Sequence, residues 1–139
     1  MNDFKMLQYA ALPWRRLPDG EVRVLLITSR ETRRWVIPKG WPMSGRTPAE
    51  TAAQEAYEEA GVSGDHDKAP IGAYMYEKRL RNGALQPVRV EVYPLEALVE
   101  QLSFPEQGQR EKLWTTIADA VAKVDEPELK ALIQGFRPS

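Results

Sequence analysis

The chain contains no cysteine, which removes disulfides, zinc–thiolate sites and thiol nucleophiles from consideration. It contains a single histidine, His66, set in the polar run GDHDK, where a surface position is expected and a catalytic one is not. No stretch approaches 18 uninterrupted apolar residues, so no membrane span is expected. The start, MNDFKMLQYAAL, lacks a basic region followed by a long apolar run, so no secretory leader is expected and cytoplasmic residence is the default. Net charge is only −1, which argues against a generic nucleic-acid coat. With 139 residues, 42% of them hydrophobic, the chain has material for one globular domain over 1–139 and not for two.

What charge there is lies unevenly. Residues 1–46 carry nine Lys/Arg against four Asp/Glu, and the next eighteen carry four glutamates and no basic residue. A basic arm beside an acidic segment suits an anionic substrate carried with a divalent cation, as well as an ordinary solvated surface.

Short apolar runs rich in β-branched and aromatic residues read as strands: LQYAAL, VRVLLITS (Val22–Ser29), RWVIP ended by Pro38, IGAYMYEKRL and QPVRVEVYPL. Pro18–Gly20 and Arg81–Gly83 read as turns of two hairpins. Helices are expected in three places. The first opens at TPAE, with Thr47 as N-cap, Pro48 in the first turn and Glu50 completing a capping box, and it ends at Gly61. The second covers Ile117–Val124. The third follows Pro127, with Leu129, Leu132 and Ile133 at helical spacing facing a sheet. Strands interrupted by helices, with hairpin signals, favour a mixed α/β or α+β sandwich.

On the first helix Glu55, Glu58 and Glu59 share one side, being three and four positions apart. Crowded carboxylates repel one another unless cations neutralise them, and oxygen donors on a rigid element suit Mg2+ or Mn2+. The same spacing also occurs on plain acidic helix faces, so the surroundings decide.

Those surroundings resemble the Nudix hydrolase family, whose signature is G-x5-E-x7-R-E-U-x-E-E-x-G-U with U a bulky aliphatic residue. Aligned on Gly40, the chain supplies Glu55, Glu58, Glu59, Gly61 and Val62, with Ala56 at the first U. LLITSR…RWVIPKGW before the box and FPEQGQREKLWTTIADAV after it also look like the family, nearest its diphosphoinositol polyphosphate and dinucleoside polyphosphate hydrolase branch. The resemblance implies the Nudix fold, a mixed β-sheet sandwiched between α-helices. Two signature positions depart together: Arg46 stands for the first glutamate and Gln54 for the arginine, so the ion pair that tends to join them in the family is absent at both ends. Losing both partners is better tolerated than losing one.

The resemblance further implies roles for matching residues. Glu55 and Glu59 would hold Mg2+ or Mn2+, with Glu58 nearby and a backbone carbonyl at Lys39–Gly40 assisting. Glu58 matches a carboxylate that takes a proton from the attacking water in some members, Glu55 does so in others, and Glu106 in FPEQGQ is a competitor. Arg30, Arg34, Lys39, Lys78, Arg79 and Arg110 are candidates to grip phosphates, with Arg33, Arg89 and Arg46 as further cations. Trp35 and Trp114 read as sheet packing, and Trp41 as packing beside the site.

The function expected is metal-dependent hydrolysis of a phosphoanhydride in a small anionic polyphosphate. The alternative is a Nudix-fold ligand-binding or regulatory module with impaired catalysis, favoured by Arg46 and Gln54. A nucleic-acid partner is not expected, since no broad basic surface is evident. The oligomeric state stays open, a homodimer included.

Overall fold

The computed structural model describes residues 6–138. The expectation of no leader rests partly on residues 1–5, outside that range. Eight strands form one mixed sheet around β1 (Met6–Arg16), and three helices cover it. β2 (Val22–Thr28) pairs antiparallel with β1 through the expected turn, closed by Leu17 N–H to the Glu21 carbonyl at 2.8 Å. On its other side β1 runs parallel to the long β7 (Leu85–Glu100), register Met6↔Val88 to Trp14↔Glu96. β6 (Gly72–Arg79) joins β7 as the second expected hairpin.

Sequence pattern and structure differ at four strands. The RWVIP strand ends before Pro38 as expected but shrinks to β3 (Trp35–Val36) on β2, and a further short strand, β4 (Lys39–Gly40), follows Pro38 on β1. Pro38 has no N–H for a ladder, but its carbonyl accepts from Ala11 N–H at 3.0 Å, so the chain crosses strands there. β5 (Val62–His66) occupies the run read as a polar loop; it pairs with the far half of β7, from Val62↔Glu100 to His66↔Leu95. His66 therefore ends a strand, half-buried, instead of sitting in a surface loop. β8 (Lys112–Thr116) pairs with β2 from Ile27↔Lys112 to Arg23↔Thr116. Neither β5 nor β8 has the apolar alternation that marks a strand in sequence; pairing partners hold them.

Alternation in the inner strands divides the core. Leu12, Val24, Leu26, Val88, Val90 and Val92 face α2 (Ile117–Lys123) and α3 (Pro127–Gln134), which bring Ala120, Leu129 and Ile133. Ala11, Leu25, Ile27, Tyr93 and Leu95 face α1 (Pro48–Ala60), which brings Ala49, Ala52, Ala56 and Ala60. This is the mixed sheet sandwiched between helices that the sequence leads one to expect. These four of the five alanines of α1, all buried, let its backbone lie close to the sheet, which explains the small residue at position 56.

Both ends of α1 are fixed. The capping box forms, with Glu50 N–H donating to Thr47 Oγ1 at 3.1 Å and Thr47 N–H to Glu50 Oε1 at 2.9 Å. Gly61 ends the helix in the left-handed region at φ +73°. A Cβ there would lie 2.7 Å from the Gln101 carbonyl oxygen and closer still to the Phe104 ring. Gly61→Ala is therefore expected to lower stability by about 2 kcal/mol, read as a shift in urea midpoint at unchanged slope.

Candidate active site

β4 and α1 bring the glutamates against the sheet. Glu55 and Glu59 lie on the buried face of α1, only 9% and 7% exposed, while Glu58 one step round is half-buried. The Lys39 N–H of β4 donates to Glu59 Oε1 at 3.3 Å. The Glu55 carboxylate packs directly over Gly40, in space that any Cβ at position 40 would fill. The segment after β7 then folds back on the C-terminal end of α1, with Gln101 N–H bonded to the Gly61 carbonyl at 2.8 Å and Glu106 N–H to the Glu58 carbonyl at 2.9 Å. Glu106 thereby joins the helical glutamates. Arg110 locks it there: its Nε and one terminal nitrogen each lie 3.1 Å from Glu106 Oε1, another nitrogen donates to the Thr28 carbonyl at 3.1 Å, and Glu59 Oε2 is 3.7 Å away.

These groups line one cavity of about 670 Å³. It gathers Glu55, Glu58, Glu59, Glu106 and Gly40 with all six candidate phosphate cations, Arg30, Arg34, Lys39, Lys78, Arg79 and Arg110. The six differ in availability. Arg110 is held by carboxylates and backbone. Arg34 is tied to Asp125 and Glu126, 3.2 Å each, and Arg30 donates to Gln109. Lys78 and Arg79 project from β6 and form no side-chain ion pair among the described residues; Arg79 donates only to the Gly83 carbonyl. Arg33 pairs with Glu111 and Arg89 lies 3.9 Å from Glu91, both away from the cavity lining.

Charge crowding shows in the titrations. Burial, then hydrogen bonding to Glu59 and repulsion from Glu59, Glu58 and Glu106, pushes the Glu55 carboxyl up to about 8. Burial also raises Glu59, opposed chiefly by Arg110. Lys39 is lowered, again by burial first, with Lys78 and Arg110 adding repulsion and Glu59 opposing. Two buried carboxyls that resist full ionisation are a donor set that a divalent cation would relieve. Among the described residues no three His, Cys, Asp or Glu side chains form a cage for an ion. Mg2+ does not require one, since it commonly takes one or two carboxylates and keeps several waters. Glu55, Glu59 and the backbone at Gly40 fit that description.

A NUDIX domain profile matches residues 6–136. The chain belongs to the Nudix family. It is 33% identical over 119 residues to Nudix hydrolase 16, mitochondrial, of Arabidopsis thaliana, covering 83% of this chain and 66% of that protein. It is 28% identical over 138 residues to Nudix hydrolase 13, mitochondrial, of the same plant, covering 86% and 67%. The chain thus spans about two thirds of the length of these curated relatives. Among solved structures, the Ap4A hydrolase of C. elegans aligns with TM-score 0.66 at 20% identity over 94% of this chain and 95% of that one. The dihydroneopterin triphosphate pyrophosphohydrolase of E. coli aligns with TM-score 0.71 at 16% identity over 94% and 93%. At these identities the likeness establishes the Nudix fold.

Against the family signature, the two departures border one hollow but differ in their partners. Gln54 stays at the glutamates, where its Nε2 donates to Glu58 Oε2 at 2.7 Å. Arg46 has no such bond to them: it lines, together with Gln54, a hollow formed with Ser44, Gly45, Glu50, Ala53 and His66, outside the lining of the acidic cavity. His66 lies there too, its Nδ1 buried without a partner, and outside the lining of the acidic cavity. The expectation that Arg46 adds a phosphate contact finds no support in this placement. Arg46→Ala is expected to change KM and kcat for a polyphosphate substrate less than about twofold, checked by steady-state kinetics.

The Nudix cavity also holds residues that the linear sequence did not single out. Tyr76 lies beneath Lys39, whose Nζ is 4.7 Å from the ring centroid, and its hydroxyl donates to Gln8 at 2.9 Å. Burial pushes the Tyr76 phenol up to about 12, so it stays a neutral donor. The available signal was alternation on β6, where Tyr74, Tyr76 and Lys78 share a face. Trp41 is 39% exposed and borders the cavity, so its packing is less complete than the sequence reading has it.

Proposed function

We propose that the chain is a divalent-metal-dependent pyrophosphohydrolase, using Mg2+ or Mn2+, that cleaves a phosphoanhydride in a small phosphate-rich metabolite such as a dinucleoside polyphosphate or a diphosphoinositol polyphosphate. One observation carries the reading: four carboxylates of the rigid α1 and the loop docked to it line the same cavity as six cationic side chains, with Glu31 and Glu77 also in that lining. Glu55 and Glu59, with the Gly40 backbone, would hold the ion. When bound, it would polarise phosphate oxygens and lower the pKa of a water ligand.

The rest falls to the protein. Lys78 and Arg79, which like Lys39 and Arg30 in the same lining form no side-chain ion pair among the described residues, bind the phosphate chain. Phosphoryl transfer relies mainly on such positioning and charge neutralisation. Glu58 and Glu106 are the two carboxylates able to take a proton from the attacking water. Each has one oxygen held, by Gln54 and by Arg110 respectively, and one left over.

Hydrolysis of a panel of dinucleoside and inositol polyphosphates with Mg2+ or Mn2+ tests this, with Glu59→Gln alongside. Metal-dependent turnover that the variant loses supports the reading. Binding of those substrates without turnover would instead support a non-catalytic binding module.

A further inference from the structure

We infer that Gln54 is a positioning residue for Glu58, fixing one of its carboxylate oxygens so that the other is presented to the attacking water. The inference rests on the cavity being an active site. Gln54 and Glu58 are four residues apart on α1, the spacing at which helical side chains meet, and the amide nitrogen to carboxylate distance is 2.7 Å. Glu58 is fixed at its main chain as well, since its carbonyl accepts from Glu106 N–H. The helix beneath is capped at both ends, so the backbone that carries the pair is fixed and the Gln54 bond restricts the side chain. Such a carboxylate starts close to its working geometry.

The identity of the donor also matters. Arg110 holds Glu106 with a cation, whereas Gln54 holds Glu58 with a neutral amide. A neutral donor orients the carboxylate without cancelling its charge, and the cavity keeps that charge for a cation or a proton. The change from the signature arginine to Gln54 thus has its own partner in this fold. It is not merely the vacated end of a lost ion pair.

The test compares Gln54→Asn, Gln54→Met and Gln54→Arg with wild type, using diadenosine tetraphosphate and Mg2+ or, if that is not turned over, the best substrate of the panel above. Asn keeps the amide but falls one methylene short, and Met keeps the shape without a donor. Both are expected to lower kcat roughly tenfold with KM within about twofold and melting temperature within about 2 °C. Gln54→Arg, which restores a donor of sufficient reach, is expected to return kcat to within about threefold of wild type. A purely structural role would lower stability and would not split kcat from KM. A second arm needs no substrate: by NMR the Gln54 side-chain amide protons should exchange with water about tenfold more slowly in wild type than in Glu58→Ala.

An active wild type whose Asn and Met variants keep full kcat overturns this inference alone. Equal amide exchange in wild type and Glu58→Ala overturns it too. A wild type inactive on every panel substrate overturns the functional reading instead, and the amide exchange still reports whether Gln54 holds Glu58.

Discussion

Glu59→Gln is expected to lower metal-dependent turnover by roughly 100- to 1,000-fold while leaving the fold intact. Glu59 is 7% exposed, faces Glu55, and receives the Lys39 N–H of β4. An amide fills the same space and can still accept that hydrogen bond, so the local packing survives. It removes one of two buried charges that would hold the divalent ion, whose stabilisation of the reacting phosphate amounts to several kcal/mol. Losing about 3–4 kcal/mol of that corresponds to the stated factor. Stability should move the other way or not at all. Because burial raises the Glu59 pKa, the folded state opposes its ionisation, and that opposition lowers stability as pH rises from the ordinary carboxylate range. At pH 7 without metal, the variant should therefore melt no lower than wild type. Kinetics at fixed Mg2+ and thermal melts with and without Mg2+ read both effects. Turnover within about threefold of wild type would remove Glu59 from the mechanism.

Arg110→Met is expected to destabilise the protein by about 3 kcal/mol, the scale for breaking a buried ion pair by removing one partner. The Arg110 side chain is 10% exposed, and the side chains of Glu59 and Glu106 beside it, taken alone, are 9% and 22% exposed. Methionine keeps most of the volume, so the loss reports charge and hydrogen bonding more than a cavity. Glu59 and Glu106 are left without their guanidinium, and the Thr28 carbonyl without its donor. For a chain of this size that corresponds to a melting temperature lower by roughly 10 °C. The destabilisation should shrink toward acid pH, where the Glu59 carboxyl, raised by burial and now without Arg110 to oppose that, protonates; denaturant titrations at pH 5 and pH 8 would show it. Equal stability losses at the two pH values would mean that packing, not charge, is what Arg110 contributes.

Local features were legible in advance wherever their partners lie within a few residues. Helix α1 ran from its Thr47 capping box to Gly61 as expected, because a helix and its caps are built from contacts three and four positions apart. The two hairpins were legible from Pro18–Gly20 and Arg81–Gly83, and the core strands from their β-branched and aromatic content. The same locality made Glu55 and Glu59 recognisable as one face. β5 and β8 were not legible, since their residues pair with β7 and β2 far away in the chain and carry no period of their own.

The sequence by itself determined the helix that carries the glutamates, their spacing, the core strands and the family. Only the tertiary structure decided which distant groups meet those glutamates. Docking of the 101–111 segment through the Gly61 and Glu58 carbonyls delivered Glu106 and Arg110, and β6 delivered Tyr76, Lys78 and Arg79. It also gave the two altered signature positions different partners, bonding Gln54 to Glu58 while Arg46 only borders the hollow that both line. The physical reason is that such contacts arise from strand pairing and loop closure across long separations, and no local period records where a chain will return.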